Sequence, residues 1–187
     1  MCAIMGFTSP SLTAQTVRPF FDRTLSRGPD QSRIEPAGTG QLCFHRLAIM
    51  GLQEEGMQPF HLGGDMVVCN GELYGFRPLK WELEKRGFTF RSESDCELIL
   101  PLYQEYGLDM FRRLDAEFAM IIYDHKTDSL IAARDPIGIR PCFTGIWTTG
   151  ASSLPAKLRT WWACARRSAP FPRDTTTPTD ASCATLT

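Results

Sequence analysis

Apolar and polar positions fall into short, readable blocks over the first three quarters of the chain and lose that order afterwards. Cys2 to Phe7 is a compact apolar run and predicts a buried strand. Ala14 to Leu25 sets Val17, Phe20, Phe21 and Leu25 at helical spacing. Pro19 is expected in the first turn of that helix, where a missing N–H does no harm. Arg27-Gly28-Pro29-Asp30 is a turn. Leu42 to Ile49 and Asp65 to Cys69 read as strands, and Asn70-Gly71 predicts a tight turn after the second. Leu79 to Lys85 reads as helix. Ser94 is expected to cap the next helix, with Glu97 closing a capping box. That helix carries Leu98, Leu100, Leu102 and Tyr103 and ends near Gly107. Phe118–Tyr123 and Ser129–Ala133 predict a hairpin around Lys126-Thr127-Asp128. Asp135 to Gly138 is a further turn. Helices mid-chain with strands on both sides predict an α+β domain over residues 1–141.

Composition sharpens the break. From Cys142 to Thr187 there is no Glu, Val, Tyr, His, Asn, Gln or Met, and Thr, Ser, Ala and Pro dominate. Residues 1–141 hold 15 Lys/Arg against 19 Asp/Glu (−4), and the remainder 5 against 2 (+3). The net charge of −1 is therefore a cancellation. It makes no bulk electrostatic case for nucleic acid or an anionic membrane as partner. No apolar run is long enough to span a bilayer, and the N-terminus lacks the pattern of a signal peptide. The seven cysteines include no Cys-x-x-Cys pair, so reduced thiols are expected rather than a metal or disulfide framework. These features point to the cytoplasm.

Candidate chemistry begins at Cys2. Removal of Met1 leaves a thiol and a free α-amine on one residue, and an amine with a pKa of about 8 is a usable base. The plainer reading is a small buried hydrophobe. Asn70 and Gly71 offer a side-chain amide and a backbone N–H to a developing oxyanion, or a common turn. Arg46 lies in an otherwise apolar stretch and needs an anion, either a substrate carboxylate or an internal acid. Asp95 opens a helix, where an acid caps the first turn or meets a ligand ammonium. Arg46 and Asp95 together suit a zwitterion, with Glu72 as a second acidic contact.

Six motifs occur in order: Met1-Cys2-Ala3-Ile4-Met5-Gly6, Arg27-Gly28-Pro29-Asp30, His45-Arg46-Leu47-Ala48-Ile49, Asn70-Gly71-Glu72-Leu73-Tyr74, Ser94-Asp95-Cys96-Glu97 and Arg134 to Pro141. Together residues 1–141 resemble the class II glutamine amidotransferase domain of glutamine-hydrolysing asparagine synthetase. The resemblance implies an N-terminal-nucleophile hydrolase fold, an αββα sandwich of two antiparallel sheets. It implies Cys2 as nucleophile and base, with Asn70 and Gly71 as the oxyanion hole. It implies glutamine as substrate, its α-carboxylate on Arg46 and its α-amine on Glu72 and Asp95. Leu47, Ala48, Ile49 and Met50 would supply backbone contacts. No metal or cofactor is expected here; ATP and Mg²⁺ belong to the family's synthetase domain, which this sequence lacks. A separate synthetase chain is a possible partner.

Residues 142–187 are expected to be an aberrant, disordered tail. Reading their codons from the third base of each preceding residue admits Tyr-Gly-Tyr, then Val-Phe-Ala-Ser-Glu-Ala-Lys-Asn, then Gly-His-Tyr-Tyr. The family continues with matching segments in that order. A frameshift near Pro141–Cys142 is the expectation, leaving the sandwich without its last strands. An inactive, poorly folded remnant is the alternative to a glutaminase.

Overall fold

The computed structural model describes residues 1–9, 12–147 and 159–163. Among these, the strands are β1 (Ala3–Thr8), β2 (Gln31–Ala37), β3 (Gly40–Arg46), β4 (Phe60–Leu62), β5 (Asp65–Leu73), β6 (Ala116–Asp124), β7 (Ser129–Arg134), β8 (Phe143–Trp147) and β9 (Arg159–Ala163). The α-helices are α1 (Ala14–Phe21), α2 (Phe76–Lys85) and α3 (Ile99–Tyr106). Two antiparallel sheets result, one in the order β2-β3-β1-β9-β8 and one in the order β4-β5-β6-β7.

Strand alternation sorts the apolar side chains into three cores, and that sorting makes the layers. Ala3, Met5, Phe7 and Cys43 pack outward against Val17 and Phe21 of α1. Ile4, Leu42 and Phe44 face the other way and meet Met66, Val68, Ala119, Ile121 and Tyr123 between the sheets. Val67, Cys69, Leu73, Phe118, Met120 and Ile122 cover the second sheet's far face, under Leu83 of α2 and Ile99, Leu100 and Leu102 of α3. The order is helix, sheet, sheet, helix. Gly6 keeps the sheets close: a Cβ there would lie 3.1 Å from Ile121 and from Leu42 side-chain atoms.

Several local expectations change. Pro19 sits inside α1 rather than in its first turn, and Thr13 caps the helix by accepting from Thr16 N–H. Proline removes a donor and crowds the preceding carbonyl; the helix tightens to a 3-10 turn from Asp22 to Arg27. The third strand stops at Arg46, so Leu47 to Met50 form a loop, not strand. β5 runs through Asn70-Gly71-Glu72, and the reversal comes at Gly75 in left-handed conformation (φ 58°). Ser94 makes no side-chain cap. Glu97 instead accepts from the backbone N–H of Arg91 and Ser92 and from Ser92 Oγ, while Ser92 Oγ accepts from Ser94 N–H. The expected hairpin forms as β6 and β7.

Four strands went unseen in the pattern, β2, β4, β8 and β9. β2 is an edge strand carrying Pro36, with polar residues at most positions. β4 has three residues, too few to show a period. The stretch beyond Cys142 predicts no strand, yet β8 and β9 lie there, with β9 pairing to β1 through Met5–Phe7. Pairing requires an extended backbone and an open neighbouring edge rather than an apolar alternation. The first sheet therefore does not end on β1. The rest of the expected tail falls outside the described residues.

Candidate active site

The ends of β1, β3 and β5 and the turn before α3 converge. The Cys2 thiol lies against the chain where β3 gives way to loop: Leu47 N–H donates to Sγ at 3.4 Å, and Sγ sits 3.6 Å from Leu47 O. Arg27 Nε donates to Cys2 O at 3.2 Å. The Arg27–Asp30 turn is pinned to the same place, with Asp30 N–H donating to Arg46 O and Asp30 Oδ2 accepting from Ala48 N–H. Gly28 permits this approach, since a Cβ there would stand 2.2 Å from His45 O. Burial pushes the Cys2 thiol pKa up; the Leu47 hydrogen bond, the terminal amine and Arg46 pull it down, and Cys69 adds to the rise.

Arg46 is buried at 3 % exposure. Its guanidinium donates to Gln31 Oε1 at 2.7 Å, to Gln53 O at 3.1 Å and to Gly51 O. All three acceptors are neutral. The loop after β3 wraps the guanidinium, and Gly56 fits beneath it, where a Cβ would meet Gly51 O and Arg46 itself. The charge is positioned without being neutralised by these partners.

β5 brings Asn70, Gly71 and Glu72 to the same end. Alternation places buried Asn70 on the face shared with Met66 and Val68, the inter-sheet layer against which Cys2 also packs. Glu72 is exposed. Asp95, at 4 % exposure, begins a 3-10 turn over the end of β5 and accepts Leu73 N–H on Oδ2 at 2.6 Å. Burial pushes the Asp95 carboxyl up, opposed by the N–H groups of Leu73, Cys96 and Asp95. Ile49 and Met50 stand exposed at the rim.

All the residues singled out from sequence thus belong to this one end of the sandwich: Cys2 just before β1, the others on β3 and its following loop, on β5 and in the Asp95 turn. Sequence reasoning missed Gln58. Its signal was a lone amide in Met57-Gln58-Pro59-Phe60, a run that is buried throughout.

A family model described as a glutamine amidotransferase domain matches residues 1–166. The chain belongs to the glutamine amidotransferase domain family. The match passes the boundary expected at residue 141 and includes β8 and β9. The amidotransferase domain is 35 % identical over 180 residues to a probable glutamine-hydrolysing asparagine synthetase of Dictyostelium discoideum, covering 92 % of this chain and 32 % of that protein. A probable asparagine synthetase of Schizosaccharomyces pombe is 41 % identical over 151 residues, covering 78 % and 27 %. The chain thus spans about a third or less of the curated relatives it matches. A glutamine phosphoribosylpyrophosphate amidotransferase from B. subtilis shares the fold, with a TM-score of 0.65 at 18 % identity, covering 87 % of this chain and 42 % of that one. The likeness shows the fold, two stacked antiparallel sheets between helices. Among the described residues no helix is long and apolar enough to cross a membrane.

Proposed function

We propose that this domain hydrolyses glutamine to glutamate and ammonia, as the glutaminase half of an asparagine synthetase-type reaction. The observation that carries the reading is Arg46: a buried cation held by neutral oxygens, one strand-end away from the Cys2 thiol. A substrate carboxylate completes that arrangement with a charge-assisted bond. The Asp95 carboxylate and Glu72 suit the α-amine of the same zwitterion.

Loss of Met1 frees the Cys2 amine. The amine takes the thiol proton as sulfur attacks the carboxamide carbon of the glutamine side chain, and the C=O π pair moves to oxygen. Asn70 and the Gly71 N–H meet that oxyanion. Its collapse breaks the C–N bond, and the ammonium proton leaves with ammonia. Water then attacks the thioester as the Cys2 amine takes its proton, the C–S bond breaks, the thiolate recovers that proton, and glutamate departs. No metal or cofactor enters these steps; ATP and Mg²⁺ would act on a synthetase domain, and a separate synthetase chain would be the acceptor of the ammonia.

We also propose that a reading-frame change near codon 141 altered the sequence that follows it. Nucleotide sequence across codons 141–177 tests it; a third-base frame that does not spell the family's segments ends the idea. The glutaminase reading is tested by glutamate release and N-terminal mass. Met1 is expected to be absent, and Cys2→Ala is expected to abolish release. Full activity in Cys2→Ala overturns the reading.

A further inference from the structure

β4 pairs with β5 for three residues, Phe60↔Val67, His61↔Met66 and Leu62↔Asp65. Carrying that register back two residues sets Gln58 opposite Cys69. The backbone has left the ladder by then, but the Gln58 side chain takes its place. Oε1 accepts Cys69 N–H at 2.6 Å and Nε2 donates to Cys69 O at 3.2 Å. The amide acts as one more strand residue. Gln58 is 4 % exposed.

The same edge of β5 is held again two positions beyond Gly71, where Leu73 N–H donates to Asp95 Oδ2. Backbone groups on one strand alternate sides. Cys69, Gly71 and Leu73 therefore direct their N–H groups to this edge. The neighbour β6 agrees: Phe118, opposite Gly71, exchanges hydrogen bonds with Asp135 on its far side. Gly71 also approaches β6 so closely that a Cβ would lie 2.4 Å from Glu117 O. The Gly71 donor thus sits between two side-chain clamps and against a wall.

We propose that Gln58 is a positioning residue that aims the Gly71 N–H at the reacting oxygen by clamping Cys69 as a strand would. The inference rests on the glutaminase reading. A donor displaced by about 1 Å loses much of its value to an oxyanion, since rates fall on the order of 100-fold for such errors. Ground-state glutamine, held by Arg46 and the acids, is bound independently of that aim.

The test compares Gln58→Leu and Gln58→Glu with the parent chain. Gln58→Leu is expected to lower kcat for glutamine about 10- to 100-fold and leave KM within about threefold. Glutamate γ-semialdehyde gives a second readout. The Cys2 S–C bond forms, the aldehyde C=O becomes C–O⁻, and the thiol proton moves to the amine. Its affinity relative to glutamate is expected to fall by the same factor as kcat. Gln58→Glu retains an acceptor for Cys69 N–H and regains a donor when protonated. Its kcat relative to the parent is expected to rise as pH falls, which also decides the matter where Gln58→Leu does not fold.

Parental kcat and analogue affinity in a folded Gln58→Leu overturn the inference, as does a loss confined to KM or a flat pH ratio for Gln58→Glu. If Cys2→Ala is dead while Gln58→Leu is unaffected, this inference alone falls. If Cys2→Ala stays active, the glutaminase reading falls first.

Discussion

Asp135 shows how one buried carboxylate can organise the turn after β7. It is buried, and its carboxylate accepts N–H groups from Gly138, Ile139, Arg140 and Phe118. Burial alone would raise its pKa; the donors at Ile139, Arg140, Gly138 and Phe118 together outweigh it and hold the carboxyl below its ordinary range. As pH falls, the unfolded chain takes up this proton first. The stabilisation is therefore complete above the ordinary carboxylate pKa and lost as pH falls through the lower folded value. Asp135→Asn is expected to cost about 1–3 kcal/mol at neutral pH, and less in acid, as denaturant melts at the two pH values would show. Arg46→Met is expected to raise KM for glutamine about 10- to 100-fold, the worth of a hydrogen-bonded charge, with steady-state kinetics as the check. Cys2 and Arg46 were legible from sequence because a thiol beside the terminus and a cation in an apolar run are rare. The neutrality of Arg46's partners was not, since two of its acceptors are backbone carbonyls of the wrapping loop.

At the scale of elements, β5 carries the most. Asn-Gly predicts a turn locally, yet eight consecutive pairs with β6 hold Met66 to Leu73 extended. Tertiary pairing overrides a two-residue preference. Gly71 is required there by the nearness of β6, rather than by a turn. Gly71→Ala drives a Cβ into Glu117 O and Phe118. It is expected to shift the strand, cutting kcat more than it raises KM, and to lower the thermal midpoint. Calorimetry beside kinetics separates the two effects. Glu97 teaches a similar lesson. The Ser94-x-x-Glu97 spacing is present, but Ser92 is near enough to take the carboxylate, so the cap is built one turn earlier in the chain.

At the scale of the molecule, β1 is central to its sheet because β9 covers its second edge. A chain ended at Pro141 uncovers that edge and leaves Cys2 at the start of an edge strand. It is expected to melt at lower temperature and to associate through the open edge, measured by thermal unfolding and light scattering. An unchanged midpoint and a monodisperse species would show that β8 and β9 add nothing to the sandwich. The α+β class, both hairpin strands of β6 and β7 and the core strands β1, β3 and β5 were all readable, because strands buried on both faces leave short continuous apolar runs in the sequence. Edge strands β2 and β4 were not, since one is half polar and the other too short.

The sequence by itself singled out the residues proposed to hold the chemistry and the segments that must be buried. Residue type and spacing carry that information: Cys2 next to Met1, Arg46 among apolar neighbours, and the apolar runs from Cys2 to Phe7 and from Asp65 to Cys69. Tertiary structure alone decided where the strands end, how Gln58 replaces a strand residue beside Gly71, and that Arg46 is held by neutral groups. Those outcomes depend on contacts between segments far apart in the chain, and no local pattern encodes the partner a backbone N–H will find across a sheet.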